Sequence, residues 1–209
     1  GGGAGDMNNN VGTAGGDGGG ILILNVNVLQ SNNQVINANG VSVSTVAGGD
    51  GAGGGGAAGT VMIQANQING DLEVKLNGGG GGDVASGTST TFCFGPGGGG
   101  SGGALWLSSP SLPANINTSF LGGRSGEQVF NNPPANCPVG STNGATGGQN
   151  GSAVFNLALS YPADSFIELQ SSACCDDTIC LGDSSRLTVQ GISTFGPTFE
   201  WLSGSTDSV

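Results

Sequence analysis

The sequence has no histidine, and its only cations are Lys75, Arg124 and Arg186, against fourteen acidic residues and a formal net charge of −11. Without histidine, Ser-His-Asp and Cys-His catalytic arrangements are excluded. Zinc is disfavoured too, since none of the cysteines forms a CxxC pair. So few cations cannot neutralise a phosphate backbone, which removes nucleic acid as a partner. An anionic membrane surface would repel the chain. Charged residues make up only 8%, well under the ~25% of ordinary globular domains, so disorder driven by charge is not expected. No apolar run approaches the ~20 residues of a membrane span, which argues against an integral membrane protein. Helix-forming stretches rich in Ala, Leu, Lys and Glu are missing. So is the GxxxxGK[ST] loop that would turn glycine into a nucleotide cradle. No signal peptide is visible, and the chain starts GGGAGD rather than with Met. It is expected to be a mature product or part of something longer.

What the sequence does have is glycine, 45 of 209 residues, about three times the usual share of ~7%. The stretch "AGGDGAGGGGAAGTVMIQANQING" (47–70) sets a glycine run directly against an alternating apolar run. The glycine is either slack linker or a structural element that only glycine can form. Matched offsets favour the second. With Gly20, Gly59 and Gly103 as anchors, Leu22, Val61 and Leu105 follow at two residues, and Leu24, Ile63 and Leu107 at four. Polar Asn25, Gln64 and Ser108 come next, then Leu29, Ile68 and Leu112 at nine. Glycine returns about twenty residues after each anchor, at Gly40, Gly78 and Gly122. A unit of roughly 40 residues therefore recurs three times.

Alternation of period two argues for strands. The expected fold is all-β: a Gly-rich β-solenoid-like stack over residues 1–130, in which apolar residues at matched offsets lie above one another. Glycine supplies corners that need positive φ or close backbone approach. Polyglycine-II-type packing of extended, Cβ-free segments is the other ordered arrangement open to the tracts, alone or beside a β core.

The texture changes after Phe130. Residues 131–175 read as a Cys/Pro/Asn-rich connector, with two short strand candidates around Tyr161-Pro162. Few charges and many loops suit disulfides in an oxidising compartment. Of the five cysteines (Cys93, Cys137, Cys174, Cys175 and Cys180), Cys93 and Cys137 are paired by elimination. Cys174 and Cys180 are further candidates, and the odd count leaves one thiol over.

Residues 176–209 run Cys180-x-Gly182-Asp183-Ser184, then Leu187/Val189, a turn at Gly196-Pro197, and Phe199-Glu200-Trp201. This resembles the opening of the Ig-like or PKD-like repeats of large secreted Bacteroidota proteins, where "ICxGxSxxLxxxG…YxW" recurs. The later strands of such a module are missing. The Gly-rich part resembles bacterial surface proteins with "GGGGxGGxφxφxA…φxxxGxφxxNGG" repeats. Together the two parts are similar to gliding-motility adhesins exported by the type IX secretion system, although no C-terminal sorting domain is visible. The resemblance implies an extracellular, cell-surface location and attachment to a surface polysaccharide or another extracellular surface. Its outer-membrane partners would be secretion or motility proteins.

Candidate sites are few. Asp17, Asp50 and Asp83 sit in glycine settings that resemble calcium-binding β-roll turns. The nonapeptide does not recur in register, however, and Asp favours turns anyway. Asp176, Asp177 and Asp183 form an acidic cluster that offers calcium a junction site; a solvated loop is the preferred reading. No other cofactor is implied. Glu73 and Glu127 are the one carboxylate pair to consider for a glycosidase. Lys75 two residues from Glu73 makes a surface ion pair the simpler account, and no enzymatic activity is expected. "TSTTF" (88–92) is too short to order water as a threonine array. Trp106 is a candidate for stacking on sugar, as is Trp201, although core or interface roles are commoner for such residues. The expected function is thus a non-enzymatic structural segment of a surface adhesin. The alternatives are a carbohydrate-binding module or exported cargo held by a type IX translocon.

Overall fold

Burial alternates along the strands, so that one face of each meets a core closed between strands of separate sheets. The computed structural model describes residues 12–85, 93–129 and 136–160. Among these the fold is all-β, with no helix. Strands β1 (Ile21–Gln30), β2 (Val35–Asn37) and β3 (Ala47–Gly48) are followed by β4 (Thr60–Asn69), β5 (Leu72–Lys75) and β6 (Val84–Ala85). Then come β7 (Ala104–Leu107), β8 (Ile116–Ser119) and β9 (Ser152–Val154). Residues Gly1–Leu159 form one compact unit and Ser160–Val209 another. The Ig-like onset expected at 176–209 lies outside the described residues, as do Cys174, Cys175, Cys180, Asp176, Asp177, Asp183, Trp201 and the 88–92 run.

The strands form sheets of order β1-β4-β7-β9, β2-β5-β8 and β3-β6, and every pairing is parallel. Parallel neighbours ordinarily need a crossover helix. Here the strands of the other sheets and the glycine tracts make the crossover. The register follows the glycine anchors: Leu22 lies beside Val61 and Val61 beside Leu105, while Leu24, Ile63 and Leu107 align likewise. Leu29 pairs with Ile68. The third expected member of that row, Leu112, does not join it. Strand β7 ends at Leu107 and a proline-containing loop (Pro110, Pro113) leaves Leu112 39% exposed. Proline lacks the N–H that a continued ladder would use. The Asn115 side chain takes over there, donating to the carbonyls of Ile68 (3.1 Å) and Gly70 (2.8 Å).

The main core lies between the first two sheets. Val61, Ile63, Leu105 and Leu107 from one face Leu72, Val74 and Ile116 from the other, with Leu76, and all are buried. Each such side chain contributes about 1.5–3 kcal/mol by leaving water. A smaller cluster of Ala47, Ala52, Val84 and Phe94 sits by the third sheet. Residues 136–159, read from the sequence as connector, add β9 to the first sheet. Cys137 is buried and disulfide-bonded to Cys93 with a Cα–Cα distance of 5.7 Å, as expected from the sequence.

The glycine tracts are hydrogen-bonded to one another as the strands are. One row consists of 12–20, 51–59, 95–103 and 145–151, each leading into a strand of the first sheet. A second row consists of 38–43, 76–84 and 119–127, each leaving a strand of the second sheet. Within a row, neighbours are bonded in parallel, as in Gly16 N–H to Gly54 O (2.9 Å), Gly55 to Gly98 (2.9 Å) and Gly78 to Leu121 (2.8 Å). Between rows the bonds run antiparallel in a zigzag: Gly56 to Val41, Gly79 to Gly56, Gly100 to Gly79, Gly123 to Gly100, and Gly148 to Gly123, at 2.8–2.9 Å. The pattern repeats every third residue, with Gly59 bonded to Ala38, Gly82 to Gly53, Gly126 to Gly97 and Gly151 to Phe120.

Glycine is required here for space. Among the described glycines, positive φ is confined to Gly49, Gly70, Gly140 and Gly144, none of them within these rows. A Cβ on Gly56 would fall well inside contact with the Asp17 carbonyl, and one on Gly100 inside contact with that of Gly56. The corner role expected from the sequence survives at Gly70, whose φ of 79° turns the chain between β4 and β5.

Candidate functional site

The outward face of the first sheet is the one surface where sequence and geometry converge on a recognition chemistry. Side chains alternate across a strand, so the residues between the buried positions point away from the core. The register sets Ile23 beside Met62, Met62 beside Trp106, and Trp106 beside Val154. Parallel strands lie about 4.8 Å apart, so this row spans about 15 Å. Ile23 is 53% exposed and Trp106 is half-buried. The row beside it carries Ile21, Thr60, Ala104 and Ser152, and the next carries Asn25 and Gln64. None of these side chains is charged. The arrangement is a flat apolar strip with an aromatic ring, edged by hydroxyl and amide groups. Such a strip can stack on an apolar face of a neutral ligand and offer hydrogen bonds at its margin. Gln64 is partly committed, its Oε1 accepting from the Leu159 N–H at 2.6 Å.

The sequence singled out Trp106 but not its neighbours. The signal was present: the residue three positions after each anchor, Ile23, Met62 or Trp106, is apolar in every unit although it faces outward. Val154 carries the same signal, three residues after Gly151, with Ala153 and Phe155 at two and four, but the longer interval between Gly103 and Gly151 hid this fourth recurrence.

The other candidates are dispersed. Glu73 pairs with Lys75 at 3.2 Å on the second sheet, the surface ion pair expected. Glu127 adjoins Gln128, which bridges to Val84 by the third sheet. Glu73 thus lies in a strand of the second sheet, whereas Glu127 lies outside the strands, next to the third. Asp83 is engaged by Arg124, whose guanidinium donates at 3.1 and 3.2 Å, and by the Glu127 N–H at 3.0 Å. That hydrogen bond, then the Asp83 charge, holds the Arg124 pKa above the usual arginine value against a small opposing effect of burial. Asp50 accepts from the Gly51 N–H at 2.7 Å. Among the described residues, His, Cys, Asp and Glu form no group of three placed to hold a metal ion. A shallow depression of about 300 Å³ on the second sheet is lined by Asn33, Val35, Asp71, Glu73 and Asn117. Its one glutamate is the partner of Lys75. Among the described residues no helix is long and apolar enough to cross a membrane. No known protein family, curated protein or solved structure matches the chain.

Proposed function

We propose that the chain is a non-enzymatic, stiff structural segment of a secreted bacterial cell-surface adhesin, serving surface attachment or gliding motility. In this reading the strands and tracts form one β-solenoid. Each coil consists of an outbound glycine tract, a strand of the first sheet, a strand of the second and a return tract. The tracts pack as polyglycine-II helices, which have three residues per turn and no internal hydrogen bonds. Backbone groups in such a helix need partners outside it, and neighbouring tracts supply them. The observation that carries the reading is the zigzag from Val41 through Gly56, Gly79, Gly100 and Gly123 to Gly148. It ties consecutive coils together on the side away from the apolar core. A segment so tied resists bending and extension, which is what a stalk that transmits force requires. The Cys93–Cys137 bond fits an oxidising, extracellular setting.

The test uses intact cells. Antibodies against the folded segment should label the cell surface, and removing the segment in frame should reduce attachment or gliding. Recovery of the protein only from the cytoplasm, with Cys93 and Cys137 as free thiols, would refute the reading.

The strip of Ile23, Met62, Trp106 and Val154 favours a second reading, a carbohydrate-binding module. Here Trp106→Ala should abolish retention on surface polysaccharide without changing the melting temperature. Retention unchanged by that substitution would remove it.

A further inference from the structure

The proposal concerns the edge of the first sheet at β1, and it goes beyond the adhesin reading because it names a partner for that edge. Among the described residues β1 pairs only with β4, so one edge of a ten-residue strand has no strand beside it. Its core-facing residues Leu22, Leu24 and Leu29 are only partly buried, whereas Val61 and Ile63 beneath them are buried completely. The outward positions of this layer are also more apolar than their counterparts. Ile21 stands where the next strands have Thr60 and Ala104, Val28 where β4 has Gln67, and Val35 where β5 and β8 have Glu73 and Asn117. Ile21 is 76% exposed, and Ile23, Val28, Val35, Val41 and Val46 are exposed as well. Between Gly12 and Val46 the only charged residue is Asp17. In a protein of net charge −11, this layer is nearly uncharged and apolar, and among the described residues it is open along a strand edge.

We propose that two copies of the chain pair through this edge, first layer against first layer. The edge continues the interface that β1 already makes with β4. Its best match in length is itself, because β9 at the opposite end of the first sheet has only three residues. Pairing about a two-fold axis makes the strands antiparallel. A register centred on Leu24 sets Leu22 opposite Val26 and keeps both on the core side of the sheet. The contact is isologous and closes on itself, giving a dimer rather than a fibre. Near-absence of charge lets like copies approach, and lysine on an edge strand blocks such pairing.

The experiment is sedimentation of the full 209-residue chain across a concentration series. Wild type should shift with concentration to twice the single-chain mass, and electrophoresis in detergent without reductant should return single chains. Ile21→Lys combined with Val28→Lys should remain single-chain, while Leu121→Lys, which changes an exposed leucine away from the edge, should still pair. Amide exchange of β1 in the wild type gives an independent readout and should slow as concentration rises. A wild type that stays single-chain with concentration-independent exchange overturns the proposal. So does a disulfide-linked dimer, or a dimer that survives the double substitution and fails in Leu121→Lys.

Discussion

At the scale of single residues, two kinds of glycine separate by what a methyl group would meet. Gly100 lies in the outbound row with the backbone of Gly56 against it. Its clash is with backbone that cannot yield without breaking the lattice. Gly100→Ala should therefore lower stability by ~3 kcal/mol or more in urea unfolding. Gly20 has no atom within 4 Å of the position a Cβ would take, and its φ is not in the left-handed region. Gly20→Ala should be neutral or stabilising by up to ~1 kcal/mol, because it restricts the unfolded chain. Equal losses at the two positions would contradict the lattice. The ion pair of Arg124 with Asp83 is exposed on the arginine side, so Arg124→Ala should change the unfolding free energy by less than ~1 kcal/mol.

At the scale of elements, the sequence was legible where one unit repeats another. Gly20, Gly59 and Gly103 align in the structure, and so do Gly40, Gly78 and Gly122, because equal spacing in a parallel stack becomes equal height. The same logic fails at Leu112, where Pro110 and Pro113 take the chain out of register although the count of nine residues is kept. Leu107→Ala should accordingly cost about 2–5 kcal/mol, while Leu112→Ala should cost under ~1 kcal/mol; thermal melting of both variants checks the contrast. The reason for the glycines was only half legible. Positive φ and close approach both select glycine, and composition cannot separate them. The period of three in Gly53-Gly56-Gly59 and Gly97-Gly100-Gly103 is the mark of close approach between neighbouring tracts. It was obscured because the intervening positions are often glycine too. Strand β9 opens the stretch that holds the two strand candidates around Tyr161-Pro162, and Gly151, Ala153, Phe155 and Asn156 repeat the anchor spacing a fourth time; the longer, polar interval from Gly103 hid that recurrence. The disulfide joins residues 44 apart, enough to close about one repeat. Chain entropy places its contribution at about 4 kcal/mol, and Cys93→Ser with Cys137→Ser should lower the unfolding free energy by up to that amount. Peptide mapping without reductant should recover Cys93 and Cys137 on one linked species.

At the scale of the whole unit, one side is held by apolar burial between sheets and the other by backbone hydrogen bonds between glycine tracts. These respond differently to perturbation. The core follows the hydrophobic effect, whereas each tract bond contributes only about 0.5–1.5 kcal/mol net and matters by number and by rigidity. Strands and tracts joined by both should unfold together. The most direct test is therefore residue-resolved hydrogen exchange of the amides of Gly56, Gly79, Gly100 and Gly123. The account predicts protection close to that of Val61, Ile63 and Leu105 in the core strands. Exchange at the rate of an unstructured chain at those four glycines, with the strands still protected, would contradict it.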